Sequence, residues 1–187
     1  MTTLVDPSSV DRFRVLVARR LGLWIEDGRL SVLVEVLRRR LDNTRFGVDA
    51  YLARLENPEA GRAELRELAR ELTVTETYFF RSADQLRAFT EVALPARTFA
   101  PRPLRILCAG CASGEEPYSL AILAREHLRE AALAGVSIRA VDINADMLER
   151  AARGRYTAWA LRETGVDARA RWFSLEGKDF ALRPSIR

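Results

Sequence analysis

Leu104-Arg105-Ile106-Leu107-Cys108-Ala109-Gly110-Cys111-Ala112-Ser113-Gly114-Glu115-Glu116-Pro117-Tyr118 is the stretch that decides the fold. Its first six residues form an apolar run with the length and composition of a buried strand. A loop of small residues follows, then two carboxylates and Pro117, which suits the first turn of a helix because its missing N–H would be unpaired there anyway. Apolar residues return at helical spacing over 118–133, with Leu120, Leu123, Leu128 and Ala131 on or near one stripe and Gly135 as the stop. Ile138-Arg139-Ala140-Val141-Asp142 reads as a second strand ending in a carboxylate. Strand, glycine loop, helix and acid-terminated strand is the layout of a nucleoside-binding βαβ unit.

Each part of that layout has a physical reason. Gly110 and Gly114 let the loop turn sharply and let a ligand approach the backbone without meeting a Cβ. Free N–H groups at the start of the next helix attract an anionic ligand group. Asp142 stands where ribose hydroxyls need an acceptor. The glycines do not fit G-x-G-x-x-G, and Asp142 lies further from the loop than the ~20 residues of a dinucleotide site. An ordinary α/β layer without a nucleoside is the competing reading.

Outward from this core, 187 residues suffice for one large or two small domains. Lys and Arg number 30 against 26 Asp and Glu, a net charge of +4, and Lys178 is the only lysine. No N-terminal apolar run resembles a signal peptide and no segment approaches bilayer-spanning length, so a cytoplasmic protein without membrane insertion is expected. Cys108 and Cys111 do not make a disulfide framework.

Residues 6–73 read as short amphipathic helices. Ser8 or Ser9 caps the first, with Val10, Phe13, Leu16, Val17 and Leu21 inward before Gly22. The second covers about 30–41 with Leu33, Val34 and Leu37 inward, and the third about 48–55 with Tyr51 and Leu52. Asn57-Pro58 is read as a cap plus first-turn proline opening a fourth helix through Leu65, Leu68 and Leu72. The second helix carries Arg38-Arg39-Arg40. Such a run is either a solvated face or a dock for an acidic partner. Aromatics are not interleaved with it as a nucleic-acid stacking platform requires, so an acidic protein surface is favoured.

Ser82 with Gln85 three residues later reads as a capping box, starting a helix to about Leu94. The preceding Thr75-Glu76-Thr77-Tyr78-Phe79-Phe80-Arg81 is then a loop. Burying its two phenylalanines would pin Arg81, which is how one guanidinium is aimed at one carboxylate. Pro95, Pro101 and Pro103 mark a linker. The expected domains are 1–94, helical with this loop and helix, a linker 95–103, and an α/β part 104–187.

Residues 73–81, the Ala109-Gly110-Cys111-Ala112-Ser113-Gly114-Glu115-Glu116-Pro117-Tyr118-Ser119 run and Val141-Asp142-Ile143-Asn144 together resemble successive motifs of the chemotaxis receptor methyltransferases, the CheR family. Ala151-Ala152-Arg153-Gly154-Arg155-Tyr156 resembles that family's helix ending in glycine-x-tyrosine. The resemblance implies a small all-α domain followed by a partial Rossmann-like parallel-sheet domain of the class I methyltransferase type. It also implies S-adenosylmethionine as methyl donor, S-adenosylhomocysteine as product, and a receptor glutamate as acceptor in an acidic cytoplasmic region of a chemotaxis-type receptor. Carried onto matching positions, Thr77 contacts the donor and Arg81 lies near the methyl-transfer centre. Thr75 stands where the family usually has asparagine, Glu116 is the loop glutamate that contacts the donor, and Asp142 is the ribose-binding acid.

Family members continue past the last residue of this chain, and nothing here matches their asparagine-to-tyrosine-phenylalanine motif. After Asp142 the further strand candidate is around 180–187. A parallel sheet of two or three strands would leave an apolar face and an edge uncovered, so this chain alone is expected to transfer methyl groups weakly or not at all. The chemistry needs no general base, because the acceptor carboxylate is already ionised at neutral pH. Alignment is what the protein supplies. Two alternatives stand beside this reading. One is a non-catalytic docking or donor-binding module. The other is a redox pair in Cys108-Ala109-Gly110-Cys111, opposed by the place of Cys108 in the buried strand pattern. Zinc would need two more ligands, and His127, the only histidine, is read as a mid-helix surface residue.

Overall fold

The structure, a computed structural model, describes residues 5–99 and 103–187, apart from the side chains of 97–99. It divides into two compact units, Met1–Val74 and Thr75–Arg187. The loop of residues 75–81 and the helix after it group with the second unit, not with the helical domain as expected. The reason is Phe79, fully buried with its ring edge-on to Tyr156 at 4.7 Å and to Phe173 at 4.9 Å.

The first unit is all helical. α1 (Pro7–Leu21) is capped by Asp6, whose carboxylate accepts the Ser9 N–H and both serine hydroxyls. The cap therefore falls one position before Pro7, ahead of the Ser8 or Ser9 expected, because proline occupies the first helical position. Gly22 closes α1 in the left-handed conformation, φ 69°. α2 (Leu30–Thr44), α3 (Val48–Glu56) and α4 (Arg62–Leu72) complete the unit. Phe13, Leu33, Leu37, Tyr51, Leu55 and Leu68 meet in one core. Asn57-Pro58 does not open α4. The Asn57 side chain accepts the Glu59 and Ala60 N–H groups and builds a turn, so the helix begins four residues later than proline at the first position would place it.

The second unit begins with the loop, then α5 (Ala83–Ala88), a π turn (Phe89–Ala93) and α6 (Leu94–Phe99). Ser82 has φ 62° and makes no side-chain cap, because a capping side chain needs extended backbone. Pro95 lies inside α6, where a linker was expected. Proline displaces the carbonyl four residues back, here Glu91, and the π turn is where the helix widens to absorb that. Pro101 and the rest of 100–102 lie outside the described residues.

β1 (Leu104–Ala109) and β2 (Val136–Val141) pair in parallel, Leu104 opposite Val136 through Ala109 opposite Val141. Between them, the helix expected as one run is α7 (Glu115–His127) and α8 (Glu130–Leu133), because Leu128 turns extended at ψ 144°. Leu107 and Val141 are 63% and 43% exposed, so one face of this strand pair is open.

α9 (Ala145–Arg153) follows, capped by Asn144. β3 (Arg155–Tyr156), α10 (Val166–Trp172), β4 (Phe173–Glu176) and β5 (Asp179–Leu182) come next. The three strands form an antiparallel sheet in the order β3-β5-β4. The strand expected around 180–187 is β5 only as far as Leu182, and its antiparallel pairing with β3 and β4 goes beyond that expectation. A core of Phe79, Ile122, Leu161, Trp172, Phe173 and Leu182 joins this sheet to α7 and the loop. Among the described residues no helix is long and apolar enough to cross a membrane.

Candidate functional site

The carboxyl ends of β1 and β2 carry a loop held in unusual backbone geometry. Gly110, Ala112 and Gly114 have φ values of 79°, 45° and 93°. The Gly110 and Cys111 N–H groups donate to the Val141 carbonyl at 2.9 and 3.1 Å. Asp142 then accepts the Ala112 N–H at 2.7 Å on one oxygen and the Asn144 N–H at 2.7 Å on the other. Each oxygen keeps a lone pair for a further donor, and the residue is half-buried. The acid expected to meet ribose hydroxyls is thus also the group that shapes the loop.

The two glycines differ in function. A Cβ at Gly110 would meet nothing within 4 Å, so the backbone is approachable there. A Cβ at Gly114 would lie 2.8 Å from the Ala151 Cβ and 3.0 Å from the Tyr118 ring. Gly114 therefore serves close packing of α7 on α9, not ligand approach. Tyr156 adds a third anchor by donating its hydroxyl to the Ser113 carbonyl at 2.9 Å.

Charge at this end of the strands is negative. Glu116 is exposed, while Glu115 is buried, 3% exposed, with the Ser113 hydroxyl 2.8 and 3.0 Å from its oxygens. Burial raises the Glu115 carboxyl above its ordinary value. Burial, then the Glu116 carboxylate, pushes the Cys108 thiol up to about 12. Burial, then Asp142, raises Cys111 likewise. Both cysteines are buried and free, and raised thiols are the opposite of what a reactive C-x-x-C pair needs. Glu116 and Asp142 flanking an approachable backbone suit a ligand that carries hydroxyls and positive charge. A sulfonium nucleoside such as S-adenosylmethionine has both, so the residues fit that donor. His127 is exposed at the last position of α7, not mid-helix, with Nδ1 2.8 Å from the Leu123 carbonyl oxygen.

The loop of residues 75–81 is tied to this site through α7. The Phe80 N–H donates to Ser119 Oγ at 2.9 Å, and Ser119 donates to the Glu115 carbonyl at 2.7 Å. The Phe79 N–H donates to the Ala160 carbonyl at 2.9 Å. Phe80 is left-handed, φ 60°, a conformation that costs a bulky residue about 1 kcal/mol or more. Arg81 is exposed and donates to the Glu76 carbonyl at 3.0 Å. Thr77 is half-buried and Thr75 exposed on the same loop. Ser119 and Tyr156 fall in recognised runs, but nothing local in the sequence reveals the partners they reach.

Within the arginine run of α2, Arg40 departs from the docking role expected. Arg40 is 9% exposed and forms a fork on Glu64, at 2.7 and 2.9 Å, with the Tyr51 hydroxyl 2.9 Å from the same carboxylate. Arg39 holds Glu71 at 2.6 and 2.8 Å. Arg38 is half-buried. Arg40 is therefore a structural ion-pair residue and not a docking residue, because at its place in the helix it points at α4. Burial raises the Glu64 carboxyl, but the bonds from Arg40 and Tyr51 outweigh that and hold it below its ordinary value.

Comparison with protein families matches residues 75–187 to "CheR methyltransferase, SAM binding domain". "Chemotaxis protein methyltransferase 2" of Vibrio cholerae is 30% identical over 167 residues, spanning 88% of this chain and 58% of that protein. "Chemotaxis protein methyltransferase" of Vibrio parahaemolyticus is 35% identical over 164 residues, 86% of this chain and 56% of the relative. "Probable biofilm formation methyltransferase WspC" of Pseudomonas aeruginosa is 32% identical over 185 residues, 95% of this chain and 42% of the relative. The chain thus spans 42% to 58% of the lengths of these relatives.

Proposed function

The chain belongs to the CheR methyltransferase family, with a match to its S-adenosylmethionine-binding domain over residues 75–187, and on that premise we propose that it takes part in methyl transfer from S-adenosylmethionine to glutamate side chains of a chemotaxis-type receptor. The observation that carries this reading is the pairing of Asp142 with the Ala112 N–H, which sets a left-handed, approachable loop at the carboxyl ends of two parallel strands.

The residues divide the work. Asp142 offers its remaining lone pairs to ribose hydroxyls, and the Gly110 backbone admits the ligand. Glu116 meets the donor's positive charge, and Thr75 and Thr77 close over it. When bound, the donor supplies an electrophilic methyl group. Arg81 contacts the donor and orients the acceptor carboxylate, which is already the nucleophile at neutral pH. An arginine bound too tightly would blunt that nucleophile, so orientation is its role. The acceptor belongs to an acidic cytoplasmic region of the receptor. Support for that partner comes from the names of the relatives and from a net charge of +4 whose positive side is nearly all arginine.

The test is to incubate the protein with methyl-labelled donor and a receptor cytoplasmic fragment. Retained donor and base-labile label on receptor glutamates support the reading. Retained donor without ester makes the chain a donor-binding module, and no retention contradicts the assignment.

A further inference from the structure

Arg162 lies on the surface of the second unit, just after a turn of 3-10 helix (Ala158–Leu161), yet its side chain is only 21% exposed. Its guanidinium sits 3.7 Å from the centre of the Tyr78 ring and 4.2 Å from that of Trp159. It pairs with the Glu76 carboxylate at 2.8 Å and donates to the Trp159 carbonyl at 2.8 Å. A flat, charged fork stacked on two rings is a fixed object, and lysine could not replace it. Two of its contacts, Glu76 and Tyr78, belong to the loop that carries Arg81.

The second half of the relationship is on the same residue of the loop. The Glu76 carbonyl accepts Arg81 Nη1 at 3.0 Å, while the Glu76 carboxylate is held by Arg162. Arg81 also lies 5.7 Å from the Tyr78 ring, whose position Arg162 fixes. One side chain from a distant turn therefore sets the residue that sets Arg81.

We propose that Arg162 is a positioning residue for Arg81, locking the loop of residues 75–81 through Glu76 and Tyr78 so that the Arg81 guanidinium points consistently at the donor site. This rests on the methyl-donor reading above. Thr75 and Thr77 share the loop, but Glu76 and Tyr78 are contacts of both arginines, so most of the effect of Arg162 on binding disappears once Arg81 is gone.

The experiment is a double-mutant cycle on the whole chain, titrated calorimetrically with S-adenosylhomocysteine, combined with amide hydrogen exchange in the absence of ligand. Arg162→Ala and Arg81→Ala each weaken binding by about tenfold, and the double variant matches Arg81→Ala within about twofold. Arg162→Lys keeps the ion pair but loses the stack, and recovers only part of the affinity. Without ligand, Arg162→Ala speeds exchange at the Phe79 and Phe80 amides, while the melting temperature stays close to that of the parent. Multiplicative losses in the double variant, or unchanged exchange at Phe79 and Phe80, overturn the proposal. If the parent chain takes up no ligand, the donor reading falls by itself, and the exchange measurement alone decides the lock.

Discussion

Ser119 Oγ accepts the Phe80 N–H at 2.9 Å and donates its own O–H to the Glu115 carbonyl at 2.7 Å, so one buried hydroxyl joins the arginine-bearing loop to the first turn of the helix that follows the glycine loop. Ser119 is 1% exposed. Ser119→Ala leaves the Phe80 N–H unpaired and destabilises the second unit by about 1–3 kcal/mol. Hydrogen exchange at Phe80 should accelerate by more than the global loss explains. A Phe80 amide that exchanges at the parent's rate would show that the left-handed turn is held by other contacts.

The glycines of the loop give a second expectation. Gly114→Ala places a methyl 2.8 Å from the Ala151 Cβ at a φ of 93°, adding a clash to backbone strain. Gly110→Ala meets open space at a φ of 79° and adds strain alone, about 1 kcal/mol. Denaturant titration should find Gly114→Ala the more damaging for stability. Gly110→Ala should in turn be the more damaging for ligand binding relative to its stability cost. Equal stability losses would place no packing constraint on Gly114.

The buried ion pair of the first unit predicts a large effect from one arginine of three. Arg40→Ala strands the Glu64 carboxylate and destabilises that unit by about 3–5 kcal/mol. Arg39→Ala breaks a more exposed pair and costs under about 1 kcal/mol. Similar melting of the two variants would make the Arg40 fork no stronger than a surface pair.

The same pair sets a pH dependence. The folded Glu64 carboxyl lies below its ordinary 4.5, so its contribution is fully present above that pH and is lost as pH falls through the lower folded value. Stability of the parent should fall in acid more steeply than that of Glu64→Gln, measured by thermal melting between about pH 5 and 2. Parallel curves would mean that Glu64 titrates alike in both states.

How much of this was legible in the sequence depends on the range of the interactions. β1, the loop and the acid after β2 follow from local pattern, because strand and turn chemistry act over a few residues. The β4–β5 hairpin was equally local: Phe173 and Leu175 alternate, Gly177 turns with φ 66°, and Phe180 and Leu182 alternate back. Arg40 and Arg162 could not be read. One looks like its neighbours in a charge run, and the other lies 86 residues from the Glu76 it holds. Ser82 shows the opposite failure, a capping pattern in the right place that the backbone does not use.

The proposed S-adenosylmethionine site lies in the second unit, between the Gly110 backbone and Asp142. Calorimetric titration of the whole chain with S-adenosylhomocysteine, run beside Asp142→Asn, tests it most directly, since asparagine keeps one acceptor for the loop amides while removing the charge. Saturable one-to-one binding by the parent is expected, with a loss of about tenfold or more in a variant that still unfolds cooperatively at a melting temperature lowered by the one loop hydrogen bond it forfeits. An affinity the same in both proteins would contradict it, as would the absence of binding by a folded parent.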